Sequence, residues 1–132
     1  MNKYNSEGYL DLTPYYALSK IRSEGFRPLV YICSPYRGEV EENVKNARAF
    51  SRFAVDKNAI PFAPHLLFPQ FMDDDNDKER DLAMFMNSIF LRKCQEIWVL
   101  DGYISEGMQE EIKLAEKYRK TIRYFTLEEV LD

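Results

Sequence analysis

Pro28-Leu29-Val30-Tyr31-Ile32-Cys33, followed at once by Ser34-Pro35-Tyr36-Arg37-Gly38, is the stretch that decides the fold. Six continuous apolar, β-branched or aromatic residues without alternation describe a strand buried on both faces, and the Ser-Pro and Gly that follow describe a tight turn. A helix comes next. From Glu39 to about Lys57, Val40, Val44, Ala47, Ser51 and Ala54 recur at helical spacing, with Glu41, Glu42, Lys45, Arg48 and Arg52 around the rest of the circumference.

The same alternation continues downstream. Ala59 to Ala63 forms a second short apolar segment, and the prolines of Pro64-His65-Leu66-Leu67-Phe68-Pro69 open a loop there. A helix from about Lys78 to Lys93 places Leu82, Phe85, Met86 and Ile89 on one face. Glu96-Ile97-Trp98-Val99-Leu100 reads as another buried strand, leading through Asp101 to Glu106 into a helix from Gly107 to Lys120 and a strand from Thr121 to Phe125. Upstream, Tyr15 to Ser23 reads as a short helix behind Thr13-Pro14, with Ala17, Leu18 and Ile21 as its apolar side.

Strands alternating with helices predict an α/β fold: a Rossmann-like, doubly wound parallel sheet in three layers, helix on sheet on helix, with a short N-terminal helical extension. The expected organisation is one domain over 1–132, an extension over 1–27 and a core over 28–126. In such sheets ligands sit beyond the carboxyl ends of the strands, where the strand order switches. That directs attention to three loops, 34–38, 64–68 and 101–107.

Composition narrows the partners. The chain has 132 residues, 45% hydrophobic and 14% aromatic, with 18 basic and 22 acidic residues. A chain this long buries about two-thirds of its unfolded surface and needs no metal or disulfide staple. An acidic balance argues against a nucleic-acid polymer as partner, because affinity for a phosphate backbone comes from concentrated basic surface. No apolar run approaches the roughly 18 residues that span a bilayer, and the first thirty residues lack a signal-peptide pattern, so a cytoplasmic protein without membrane partners is expected. Cys33 and Cys94, in apolar surroundings, read as buried thiols.

Several residues could carry chemistry. The turn Ser34-Pro35-Tyr36-Arg37-Gly38 joins a strand to a helix, so its amides and Arg37 could receive an anion. With Met108 at zero and about 100° per residue, Ile112 lies near +40°, Ala115 near −20° and Glu111 near −60°, which puts the Glu111 carboxylate with the apolar face. Such a carboxylate pays for desolvation unless a partner or a function accounts for it. Ser105 is an N-cap candidate whose hydroxyl and following amides could hold a phosphate. The Tyr31 hydroxyl needs a partner if buried, and a carboxylate is a good one. His65, the only histidine, reads as a hydrogen-bonding loop residue. No set of His, Cys and carboxylate ligands has metal spacing, and Asp73, Asp75 and Asp77 fail as a calcium loop because Lys78 and Met84 stand where glycine and glutamate are needed. No metal or cofactor is expected.

Taken together, these residues resemble the nucleoside 2-deoxyribosyltransferase-like superfamily, in particular its small phage and bacterial proteins of unassigned function and the related deoxynucleoside 5′-monophosphate N-glycosidases. The landmarks are Tyr31 to Tyr36, Glu42-Asn43-Val44, Ala63 to Leu66, Cys94 to Val99, and Ser105-Glu106-Gly107-Met108 with Glu111 and Ala115. The resemblance implies a cleft for a nucleoside or nucleotide in which the bond between base and sugar is broken. It assigns Glu111, four residues after Gly107, as the nucleophile, Tyr31 as the residue orienting it, and Ser105 with the 34–38 turn as phosphate contacts. It also implies a homo-oligomer. Relatives carry a proton-donating aspartate eight or nine residues before the acid that leads the following strand. Here that count from Glu96 reaches Ser88 and Asn87, and neither is an acid. Asn87 is left to bind a base. Three functions stay open: a hydrolase or transferase at an N-glycosidic bond, an inactive nucleotide-binding or sensing module, and an interaction protein without a ligand.

Overall fold

The computed structural model describes residues 17–21 and 25–132. It contains strands β1 (Leu29–Cys33), β2 (Ile60–Phe62), β3 (Glu96–Asp101) and β4 (Thr121–Thr126), and helices α1 (Val40–Asp56), α2 (Pro64–Leu67), α3 (Asp77–Lys93), α4 (Glu106–Lys117) and α5 (Leu127–Leu131). Residues 17–21 are helical and exposed. The rest of the expected N-terminal helix, with Thr13 and Pro14, lies outside the described residues.

All neighbouring strands are parallel, in the order β2-β1-β3-β4. The two inner strands are the continuous apolar runs, and each is buried from its second residue to at least its fifth. The outer strands look different. Pro61 sits in β2, where an edge position costs no ladder hydrogen bond, and β4 exposes Thr121, Arg123 and Tyr124. The register pairs Val30 with Glu96 and Cys33 with Val99.

Because side chains alternate across a strand, β1 sends Val30 and Ile32 to one face and Tyr31 and Cys33 to the other. On the first face Phe50 and Ala54 of α1 and Val130 of α5 pack with Trp98 and Phe125 of the sheet. On the second, α3 and α4 cover Leu91, Ile97, Val99, Met108 and Ala115. Three layers result, and the sheet is the α/β doubly wound class that the strand–helix alternation predicts.

Three local expectations change. Pro64 does not simply break the chain: it occupies the first turn of α2, where its missing N–H is not needed, and a 3₁₀ turn over Phe68–Gln70 follows. Helix α1 buries Phe50 between Ala47 and Ala54, while Val40 is exposed. The largest change is on α3. Leu82 and Phe85, expected to face the core, are 50% and 62% exposed, and the inward residues are Asn87 and Leu91. The inward side of this helix lines a cavity, so the strongest apolar stripe is not the one it buries.

Candidate functional site

Strand order reverses direction between β1 and β3, and the cavity lies at their carboxyl ends. The turn after β1 is held by Asn43, whose amide donates to the carbonyls of Tyr36 and Arg37 at 3.0 and 3.2 Å. Gly38 has φ of 96°, a conformation that side chains rarely adopt, so glycine is required there. After β3, Ser105 caps α4: its hydroxyl accepts from the Met108 amide at 3.2 Å, while its own amide lies 3.5 Å from the Met108 sulfur. This cap fixes the helix rotation. Met108, Glu111 and Ala115 then face inward, as their angular positions require.

Glu111 is 6% exposed, one of three buried polar or charged side chains among the described residues, with Ser34 and Asn87. The Tyr31 hydroxyl, fully buried in β1, donates to Glu111 Oε2. Cys33 Sγ lies 3.8 Å from Oε1. Burial pushes the Glu111 carboxyl up to about 7, against the opposing pull of the Tyr31 and Cys33 hydrogen bonds. Tyr31 and Cys33 are in turn raised well above their ordinary values by burial and by the neighbouring carboxylate, so both stay protonated as donors. The result is a carboxyl group balanced near neutrality, held by two donors from one strand. It can act as nucleophile, base or acid.

The cavity around it has a volume of about 280 Å³. Of the residues expected at the site, Tyr36, Arg37, His65, Asn87, Ser105, Gly107, Met108 and Glu111 line it. Ser34, Pro35 and Gly38 shape the turn but do not line it, and Tyr31 reaches it only through Glu111. Arg37 is engaged: its Nε and Nη2 donate to Asp74 Oδ2 and to the Asp74 carbonyl at 2.7 and 2.6 Å. His65 stacks on Tyr36, ring centroids 5.3 Å apart, and hydrogen-bonds the Ser34 backbone. Burial lowers its pKa to about 4, so it is neutral at pH 7.

Asn87 is 5% exposed, and its Oδ1 has no hydrogen-bond partner among the described residues. It also borders a smaller cavity of about 150 Å³, shared with Glu111 and Met84. Sequence reasoning missed Asp74, Arg80, Met84 and Tyr103 on the main cavity wall. Arg80, Met84 and Asn87 are spaced four and three apart, so this stripe was visible as a helical face once the apolar stripe of α3 is set aside. Tyr103 carries no signal of its own. Among the described residues no group of three or more His, Cys, Asp or Glu is placed to hold a metal ion, and no helix is long and apolar enough to cross a membrane.

No curated protein matches the sequence. Among solved structures, the fold is similar to that of a 2-deoxyribosyltransferase from the psychrotolerant bacterium Bacillus psychrosaccharolyticus, with a TM-score of 0.57 and 17% identity over 74% of this chain and 72% of that chain. Identity this low shows the fold alone. The model of a family described as a domain of unknown function (DUF7768) matches residues 28–125, which take in every strand but the last residue of β4 and carry Tyr31, Asn87 and Glu111; the chain belongs to that family.

Proposed function

We propose that this protein cleaves the N-glycosidic bond of a nucleoside or nucleoside 5′-monophosphate, by hydrolysis or by deoxyribosyl transfer, with Glu111 as the nucleophile. One observation carries the reading: a buried carboxyl group, hydrogen-bonded by Tyr31, lines a small cavity at the switch point of the sheet. The similar fold of an enzyme described as a biocatalyst for the synthesis of nucleosides agrees with it.

The chemistry follows from the geometry. A carboxylate oxygen attacks the anomeric carbon as the base departs, giving a glycosyl ester that water or a second base resolves. Tyr31 fixes Oε2, which leaves Oε1, hydrogen-bonded among the described residues by the weak Cys33 donor alone, as the attacking atom. Ser105, Gly107 and, from the 34–38 turn, Tyr36 and Arg37 form one wall for the sugar or its phosphate, and Asn87 meets the base. The test is release of free base from a panel of nucleosides and their monophosphates, lost in Glu111→Ala. Saturable binding of the panel without release would replace the enzyme by a binding module.

A further inference from the structure

A neutral base needs a proton as it departs, and two features of the cavity wall bear on that step. The first is Asn87. An amide cannot give up a proton as a carboxylic acid does, so among the described residues the buried wall offers a hydrogen-bond partner and no carboxylic acid besides Glu111 itself. Its Oδ1, buried and unpartnered, is an acceptor waiting for an N–H, because leaving such a group unpaired is costly.

The second observation is the charge of the mouth. Asp73, Asp74, Glu79 and Glu106 stand there, exposed or half-exposed, in the loop before α3 and in the first turns of α3 and α4. Against them are Arg37, already spent on Asp74, and Arg80. His65 adds no charge at pH 7. With Glu111, five carboxylates face two guanidinium groups, a field that concentrates cations.

Resting on the glycosidic reading, we infer that the preferred substrate is an N-glycoside of a cationic heterocycle bearing an N–H or amide donor, such as a pyridinium carboxamide or an N-alkylated purine. Such a base needs no proton to leave. The Glu111 carboxylate forms the bond to the anomeric carbon, the carbon–nitrogen bond breaks, and its electron pair neutralises the ring cation. Water then cleaves the glycosyl ester, returning the carboxylate, the free sugar hydroxyl and one proton to solvent. The orphan Oδ1 of Asn87 accepts the donor of the heterocycle.

The experiment compares matched pairs: guanosine against N7-methylguanosine, in ribo and 2′-deoxy forms, each with and without 5′-phosphate, with nicotinamide riboside as a further cation. Base release is measured with the full-length protein. The expected result is a kcat/KM at least about 100-fold higher for the cationic member, the size of one missing acid–base group. In Asn87→Asp the cationic-to-neutral ratio is expected to fall by about tenfold or more, as the new acid serves the neutral substrate. Equal or faster release from the neutral member overturns the inference and leaves the glycosidase standing. Binding without release from any member overturns both.

Discussion

The two faces of one sheet are built from alternate residues of the same strands, and they differ in kind. Toward α1 and α5, Val30 and Ile32 meet a cluster in which Phe50, Phe53, Trp98 and Phe125 pack with ring centroids 4.8–6.5 Å apart. The one polar group of that cluster among the described side chains, the Trp98 indole N–H, is satisfied by Glu96 Oε1 at 2.9 Å, and Arg123 closes the edge by lying 5.1 Å over Trp98. Toward α3 and α4, Tyr31 and Cys33 instead hold a carboxyl group beside an unsatisfied amide. One face is optimised for packing. The other gives up packing for a cavity and keeps polar groups that stability alone does not need.

The contrast breaks most sharply at Glu111. Glu111→Gln keeps the shape and one acceptor for the Tyr31 hydroxyl but removes the proposed nucleophile, so base release should drop by on the order of 10³-fold or more. Phe50→Ala on the opposite face should cost about 3–5 kcal/mol of stability, measured by urea unfolding, while kcat per folded molecule stays unchanged. If Phe50→Ala lowers kcat instead, the two faces are coupled.

The stability consequence of Glu111 is a sharper test, because its sign is opposite to that of a packed residue. The folded-state pKa of about 7 lies above the ordinary carboxylate value of 4.5. Between these values the folded state binds more protons than the unfolded state, so this group makes stability fall as pH rises from about 4.5 to about 7. Glu111→Gln should therefore stabilise the protein by roughly 1–3 kcal/mol at pH 8 and change little at pH 4.5. Equal melting temperatures for the two proteins at pH 8 would remove the desolvation argument.

Tyr31→Phe removes the donor that opposes burial. The Glu111 carboxyl should rise further, moving the acid limb of the kcat/KM profile to higher pH and lowering activity about 10–100-fold near pH 7. The smallest expected effect is at the mouth. The Arg37–Asp74 pair is 47% and 32% exposed, so Asp74→Asn should leave the urea midpoint nearly unchanged. With the carboxylate charge gone and only the carbonyl of residue 74 still holding it, Arg37 should nonetheless improve the KM of monophosphates relative to nucleosides.

Much of this was legible in the sequence, for identifiable reasons. Strands β1 and β3 were readable because both of their faces are covered, which demands continuous apolar runs. Glu111 was readable because helical periodicity alone puts it beside Met108 and Ala115. The inward face of α3 was not, since a hydrophobic stripe says only that a helix has an apolar side, and Leu82 and Phe85 carry that stripe on the outer surface. Nor could the sequence reveal that Asp74 takes Arg37, or that His65 stacks on Tyr36, because both pairs join segments about 30 to 40 residues apart through loop geometry.

What the sequence determined by itself is local: periodicity, turn chemistry and capping fix where strands, helices and turns fall and, on β1, β3 and α4, which residues are buried, because each depends on neighbours within one or two turns. Tertiary structure alone decided that Asn87 and Glu111, from two helices, line one cavity, with Tyr31 of β1 behind Glu111. It also decided that Asn87 Oδ1 is left unpaired there. Those outcomes depend on where the sheet reverses its winding and on how α3 rotates against it, and these are settled only when all layers pack at once.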